Sequence, residues 1–316
     1  MCMILFSISE VFKSNFNYYQ EYFVHQIQNP SWDNPFYIIP TICVLTFLLE
    51  LILPKKLEYK PLTRKGFTLD LFYVIFFDYL ILLFGFFAFA ATTEYIFKEF
   101  LGLLGVTEYI LFDIKKLPFI FQFLIVFLLL DFLQWFGHFL LHRIDFLWQF
   151  HKIHHAQEEL GFASTRHFHW VEYFVFKPLL FLPFMFMNFS VSEFVALYLW
   201  IGYGFTFFSH CNIRVNWNWL NYILITPETH YWHHAKTLPN RYGVNFASTT
   251  TLWDHIFGFF YLPKDKGQPI LGVDDQEVIP KTFFGQMIHP FKVVFSKPKR
   301  KNALTRAEKR RLKKKK

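Results

Sequence analysis

The sequence predicts an all-α fold, a multi-pass membrane helical bundle of about four spans. Three observations predict it: a Phe-rich apolar composition, apolar stretches of bilayer-crossing length, and loop charges that alternate along the chain. Phe occurs 46 times in 316 residues, hydrophobic residues make up 53%, and the mean hydropathy is +0.24. Roughly 20 apolar residues carry a helix across a bilayer.

The first such stretch is 36–53, closed by Pro54-Lys55-Lys56. The second is 67–91 and the third 118–141. A fourth apolar region, 174–209, is broken by Pro178, Pro183 and the polar stretch Asn188–Glu193. It reads as a pair of helices or a bent hairpin. Segment 54–66 carries five basic residues and one acid, whereas 1–35 and 92–117 are net acidic. The positive-inside rule places 54–66 in the cytoplasm and the other two segments outside. The third span then ends inside near His142, and 143–173 and 210–316 are both cytoplasmic.

The net charge of +8 is concentrated at the C-terminus, where 297–316 holds twelve Lys/Arg and one Glu. Beside membrane spans, such a tail is expected to face anionic lipid rather than nucleic acid, since it has no aromatic residue to stack on bases. Cys2, Cys43 and Cys211 are too few and too scattered for a disulfide framework or a thiolate metal site. Residues 1–9 lack a basic start and a cleavage site, so no cleaved targeting segment is expected.

Histidine placement carries the chemistry. His138 and His142 form H-x-x-x-H at the end of the third span. His151, His154 and His155 form H-x-x-H-H, and His230, His233 and His234 repeat it after the last apolar region. At this composition one H-x-x-H-H string arises by chance roughly 0.03 times per chain. Positions three and four apart share a helix face, so the members of each cluster are expected to project together. Eight imidazoles exceed the four ligands of zinc or the six of an octahedral ion, so two metals are implied. Imidazole suits zinc, iron, copper or nickel, which leaves the metal open. A metal-free pH-sensing cluster is the poorer reading, because packed imidazoles repel on protonation. Asp131 lies seven residues before His138 on the same stripe, with Gln134 between them. A carboxylate inside an apolar span is costly, and the expectation is that Asp131 accepts the N–H of a ligating imidazole.

The string DFLQWFGHFLLHRIDFLWQFHKIHHA, followed by TPETHYWHHAKTLPNRYGVNF and LWDHIFGFF, resembles the fatty acid hydroxylase and sterol desaturase superfamily. The resemblance covers about 118–262. It implies a di-iron oxygenase whose metals face the cytosol under a helical cap on four helices, acting on lipids with O2. The eight box histidines carry over as ligands. His210, in FFSHCN, matches a further histidine that many members place before the last box. His169, in RHFHWVE, matches one whose following proline is Trp170 here, and His167 is its neighbour. Asn245 and Asp254 match positions that support the ligands, with a helix-cap role an equal contender for Asp254. Where members read Phe-Gly-Thr, this chain has Phe257-Gly258-Phe259.

The domains expected are 1–117 with two spans, 118–262 as the catalytic domain, 263–296 as an extension and 297–316 as a basic cytosolic tail. The function expected is hydroxylation or desaturation of a lipid, sterol or fatty acyl or related. Two iron ions serve as cofactors, with zinc as a possible substitute. The partners are the membrane, the lipid, O2 and a separate electron-donor protein of cytochrome or ferredoxin type, since no cofactor-binding segment is fused. The alternatives are a zinc-dependent membrane hydrolase, against which stands the missing H-E-x-x-H base, and a non-catalytic metal- or lipid-binding membrane protein. The location follows the organism: the inner membrane of a bacterium, or the endoplasmic reticulum of a eukaryote, where the terminal four lysines fit a dilysine signal. Arg166 and Glu172 are expected to pair with each other or to anchor a headgroup. Trp135 and Trp148 sit where indole rings mark a membrane boundary.

Overall fold

A computed structural model describes residues 2–76, 86–106, 108, 110–189, 191–215, 217–264 and 267–296. The basic tail, and the middle of the expected second span, lie outside the described residues.

The fold is helical, as expected. In chain order the helices are α1 (Cys2–Gln28), α2 (Pro35–Ile52), α3 (Phe67–Ile75), α4 (Phe86–Leu103), α5 (Phe119–Arg143) and α6 (Asp145–His155). They continue with α7 (Val171–Phe181), α8 (Val191–His210), α9 (Pro227–His233), α10 (Leu252–Phe257) and α11 (Phe283–Phe295). A two-residue parallel pair, β1 (Phe112–Asp113) with β2 (Met187–Asn188), is the one sheet among the described residues. The broken fourth region is α7, a 3-10 turn, β2 and α8, the expected bent pair of helices. Segment 1–35 departs from expectation: in place of a loop outside the membrane, most of it is α1, which packs along α4. Its apolar residues recur at helical spacing and find a partner face that only the folded chain supplies.

Among the described residues, α5 alone is long and apolar enough to cross a membrane, and α2 is an apolar helix of shorter length. Four spans are therefore not visible in the helix lengths. Both helices bury one face and expose another that is apolar. On α2, Ile38 and Ile42 are buried while Leu45, Leu48, Leu49 and Ile52 are exposed. On α5 the first three turns expose Phe119, Ile120, Phe121, Leu124 and Ile125, whereas Trp135, Leu141 and both histidines of the last turns are buried. Apolar surface this continuous is uncommon on a water-soluble monomer.

Local sequence accounts for the breaks. Asn34 accepts the N–H of Phe36 and Pro35 opens α2, an ordinary N-cap with proline at the first helical position. α5 ends at Ile144, whose extended backbone turns the chain directly into α6. Thr226 and Thr229 cap α9 reciprocally, again with a proline (Pro227) at its start.

Buried carboxylates tie the segment 157–167 onto the bundle. Glu50 on α2 accepts the N–H groups of Phe162 (2.9 Å) and Asn212 (3.1 Å). Asp70 on α3 is paired with Arg64 and His167 and accepts from Gln157 (2.9 Å) and Ser164 (3.0 Å). Each anion is enclosed yet fully hydrogen-bonded, the condition under which a buried charge is tolerated.

α5 meets α7 at Gly137, where a Cβ would lie 2.7 Å from the Phe176 ring. Gly137→Leu is therefore expected to force the two helices apart and to cost about 1–3 kcal/mol. A lowered midpoint of thermal unfolding in detergent would register it; an unchanged midpoint would mean that this contact is not tight.

Candidate metal centre

Nine histidines converge at the ends of α5, α6, α8 and α9, and all nine are buried. They form two groups whose ligand-capable atoms lie within 4.8 Å of one another: His138, His142, His151, His155 and His233 in one, His154, His210, His230 and His234 in the other. The H-x-x-H-H triplets do not stay together. With about 100° between successive residues, positions i and i+4 diverge by about 40°, but i+3 and i+4 diverge by about 100°. So His151 and His155 enter the first group and His154 the second, while His230 and His234 enter the second and His233 the first. Each H-x-x-H-H helix thereby serves both groups.

The orientation of the rings is set by what their Nδ1 atoms meet. His138 Nδ1–H donates to the Phe246 carbonyl (3.0 Å), His233 to Val244 (2.7 Å) and His210 to Thr206 (2.8 Å). His154 donates to the His167 carbonyl (3.3 Å) and His151 to Glu172 Oε2 (2.8 Å). A neutral imidazole that donates from Nδ1 presents a lone pair at Nε2. His138 and His151 then bring two bare Nε2 atoms to 3.1 Å, and His154 and His210 bring two to 3.3 Å. No proton is left to bridge either pair, so each pair repels unless a cation lies between. Two nitrogens each about 2.0–2.1 Å from one ion sit roughly 3 Å apart at ordinary coordination angles. The Nε2 atoms of His142, His155 and His233 are buried and, among the described residues, have no hydrogen-bond partner, so their lone pairs also face inward toward a Lewis acid. The donor set fits a metal in each group.

Burial, reinforced by neighbouring imidazoles, holds His154, His155, His230 and His234 well below the usual histidine range. Burial also brings His233 down to about 3. All five are neutral at physiological pH, the form that ligates.

Several expectations need correction. His169 joins neither group: its Nε2 donates to the Met287 carbonyl (3.0 Å) and its Nδ1 accepts from Val171 N–H (3.2 Å). Asp131 touches no imidazole; it accepts from the Thr250 hydroxyl and N–H and from Trp253 Nε1 (3.1 Å). It lies two turns, about 10 Å along α5, from His138 on the same stripe, and at that level its neighbours are Thr250 and Trp253 rather than the rings. Glu172 gives one oxygen to His151 Nδ1 and the other to the His169 N–H (3.0 Å). The rule that a buried carboxylate must be paired applies to Glu172 and Asp70 as well as to Asp131, and could have flagged both.

Asn245 and Asp254 support the site through backbone. Asn245, at φ 55°, holds the Thr229 and Tyr261 carbonyls (2.9 and 2.8 Å) and pins α9. Asp254 accepts from Trp135 Nε1 (2.8 Å) and from the N–H groups of Phe246 (2.9 Å) and Ala247 (3.0 Å). Phe246 is the residue whose carbonyl orients His138, so Asp254 fixes a strut of the first group and caps no helix end. Burial raises the Asp254 carboxyl to about 6 despite these donors. Gly243, at φ +104°, passes so close that a Cβ would sit 3.1 Å from His142 Nδ1. Trp148 packs its ring 5.0 Å from His142 and 5.2 Å from His155 and forms a wall of the first group.

Comparison with known proteins matches the stretch that holds this site to a family. Residues 123–259 match the fatty acid hydroxylase family. That stretch holds all nine converging histidines, and the resemblance read from the boxes is borne out. The ornithine lipid hydroxylase OlsE of Rhizobium tropici is 28% identical over 191 residues, 58% of this chain and 56% of that protein. Human alkylglycerol monooxygenase is 29% identical over 150 residues, 44% of this chain and 31% of that one. The Xenopus tropicalis alkylglycerol monooxygenase is 28% identical over 143 residues, 45% of this chain and 31% of that one. The aligned part of the chain thus spans about half or less of these relatives. No solved structure matches.

His233→Ala is expected to lower metal in the five-histidine group and His234→Ala in the four-histidine group, each taking the content from about two ions per chain to about one. Elemental analysis of purified protein reads this directly, and loss of both ions in both variants would show one coupled cluster. Asp254→Asn turns an amide N–H against one of the donors it now accepts, at a cost of about 1–3 kcal/mol. The carboxyl, raised above its unfolded value near 3.9, stabilises most in acid and progressively less as pH rises through about 6. The stability difference between the wild type and D254N, from melts across a range of about pH 4–7, should narrow with rising pH. A difference that widens would contradict the burial argument.

Proposed function

We propose that this chain is a membrane oxygenase that hydroxylates a lipid, with one iron ion in each histidine group, molecular oxygen as oxidant and a separate protein as electron donor. The observation that carries the reading is a cavity of about 590 Å³ that opens on both groups. His138, His151, His154, His210 and His230 form its end, and Phe176, Leu180 and Phe184 are among its apolar walls. An apolar chamber facing ligated metal suits a hydrocarbon substrate better than a water-borne one.

Iron when bound would supply the oxidation of an unactivated C–H bond by oxygen, which no side chain here can perform. The protein's own work is to hold and to exclude. His138, His142, His151, His155 and His233 would hold one ion, and His154, His210, His230 and His234 the other. Glu172 and the carbonyls of Val244, Phe246, Thr206 and His167 keep the Nδ1 protons in place, so that Nε2 stays bare. The aromatic walls keep bulk water from the reacting carbon. The relatives named as a lipid hydroxylase and as monooxygenases support this activity.

The exposed apolar faces of α2 and α5 support a membrane setting. With 54–66 on the cytoplasmic side, both metal groups lie at that face. The catalytic unit is 118–262, carried by the N-terminal helices of 1–117 and followed by the extension 263–296 and the basic tail.

Anaerobically purified protein is expected to contain iron in both groups, and cells that express it to accumulate a lipid heavier by one oxygen atom. His154→Ala should abolish the heavier lipid while the protein still inserts in membranes. Tightly bound zinc, with turnover that needs no oxygen, would overturn the reading.

A further inference from the structure

We propose that Gln286 on α11 is a positioning residue of the four-histidine group: it fixes the ring of His167, and through it the backbone carbonyl that aims His154. The proposal rests on the reading of both groups as metal sites and needs nothing of the oxygen chemistry. It gives a part in the centre to a helix outside the stretch 123–259 that matches the family.

The four-histidine group has few struts. His230 and His234 have buried Nδ1 atoms with no hydrogen-bond partner among the described residues. His210 gives its Nδ1 proton to the Thr206 carbonyl on its own helix, with the Thr165 hydroxyl beside it (2.9 Å). His154 is therefore the ring whose strut comes from His167, and that bond, at 3.3 Å, is the longest of the five that orient the rings. It has the least to spare, since a contact of about 3.6 Å is no longer a hydrogen bond.

The carbonyl of His167 stands outside any ladder. His167, at φ −79° and ψ 69°, is the centre of an inverse γ-turn closed by the Phe168 N–H on the Arg166 carbonyl (3.0 Å). The direction of its carbonyl depends on what grips the side chain. Nδ1 is paired with Asp70 on α3. At the opposite edge Nε2–H donates to Gln286 Oε1 (2.9 Å), an oxygen that also accepts the Tyr73 hydroxyl (2.7 Å). Tyr73 stacks on the ring face, with centroids 4.1 Å apart and planes 18° apart. Asp70 alone would leave the ring free to swing about one contact, and Gln286 removes that freedom. His167, Asp70, Tyr73 and Gln286 are all buried, so bulk water does not replace a lost acceptor. α11 strengthens the grip one residue on, where the Met287 carbonyl accepts His169 Nε2–H (3.0 Å) and Phe291 packs against the His169 ring (5.5 Å).

The test uses full-length, metal-free protein in detergent, with Co(II) as the only added metal and its visible absorption as the signal. In the His233→Ala background, which leaves the four-histidine ion, Gln286→Met should weaken Co(II) binding about three- to tenfold. That is below the roughly 10- to 100-fold cost of losing a direct partner of a ligand, because Gln286 acts one residue further out. The absorption bands of that ion should shift as well. In the His234→Ala background, which leaves the five-histidine ion, affinity and bands should be unchanged. Gln286→Glu keeps an oxygen in place and should restore both. Tyr73→Phe, the second variant, removes one of the two donors to Gln286 and should weaken the same ion by a smaller factor. An equal loss in both backgrounds, a four-histidine ion unmoved by Gln286→Met and Tyr73→Phe alike, or no recovery with Gln286→Glu would each overturn the proposal. A parent protein that takes up no Co(II) in either background would remove the metal reading and this proposal with it. The expected pattern in a chain that oxidises no lipid would support the positioning role and remove only the oxygenase reading.

Discussion

Bare imidazole nitrogens facing one another in a dry interior are the constraint on which the rest of this structure depends. Nε2 atoms 3.1–3.3 Å apart, with their Nδ1 protons already given to carbonyl or carboxylate oxygens, are tolerable only around a cation. Keeping them there requires rigid struts from separate parts of the chain. The segment Val244–Phe246 supplies two of the orienting carbonyls, and it is held in turn by Asp254 from α10 and bounded by Gly243 against His142. The break at Ile144 serves the same end, because it turns α6 back so that its histidines face those of α5.

Five enclosed carboxylates do the fastening. Glu50, Asp70, Asp131, Glu172 and Asp254 are each almost fully buried, and each collects donors from elements far apart in sequence. An anion stripped of water binds such donors strongly and in one geometry only, so it specifies an arrangement that apolar packing alone would leave loose. Glu172 joins α7 to His151 on α6. Asp70 joins α3 to His167, whose carbonyl orients His154. The histidine groups and the bundle are thus one hydrogen-bonded body, and the cavity is the space that body leaves between α5, α7 and α8.

Much of this was legible in one dimension. The spacing H-x-x-x-H and twice H-x-x-H-H singled out eight ligand candidates, and the family pattern added His210. Apolar run lengths anticipated α2, α5 and the α7–α8 pair to within a few residues. What failed did so for identifiable reasons. His169 and Asp131 had the right residue type in the right segment, but sequence spacing fixes neither the distance to the rings nor the packing around each side chain, and each found a nearer backbone or side-chain partner. α1 was missed because its apolar stripe has meaning only against α4.

By itself, then, the sequence determined the chemistry: the number of imidazoles, the helices that carry them, and the apolar chain around them. These are local properties, set by residue type and by the periodicity of a helix. Only the tertiary structure decided how nine histidines divide into five and four, which carboxylate supports which ring, and where the cavity runs. Those outcomes depend on the angles at which helices pack and on contacts between residues a hundred positions apart, and no spacing along one helix contains them.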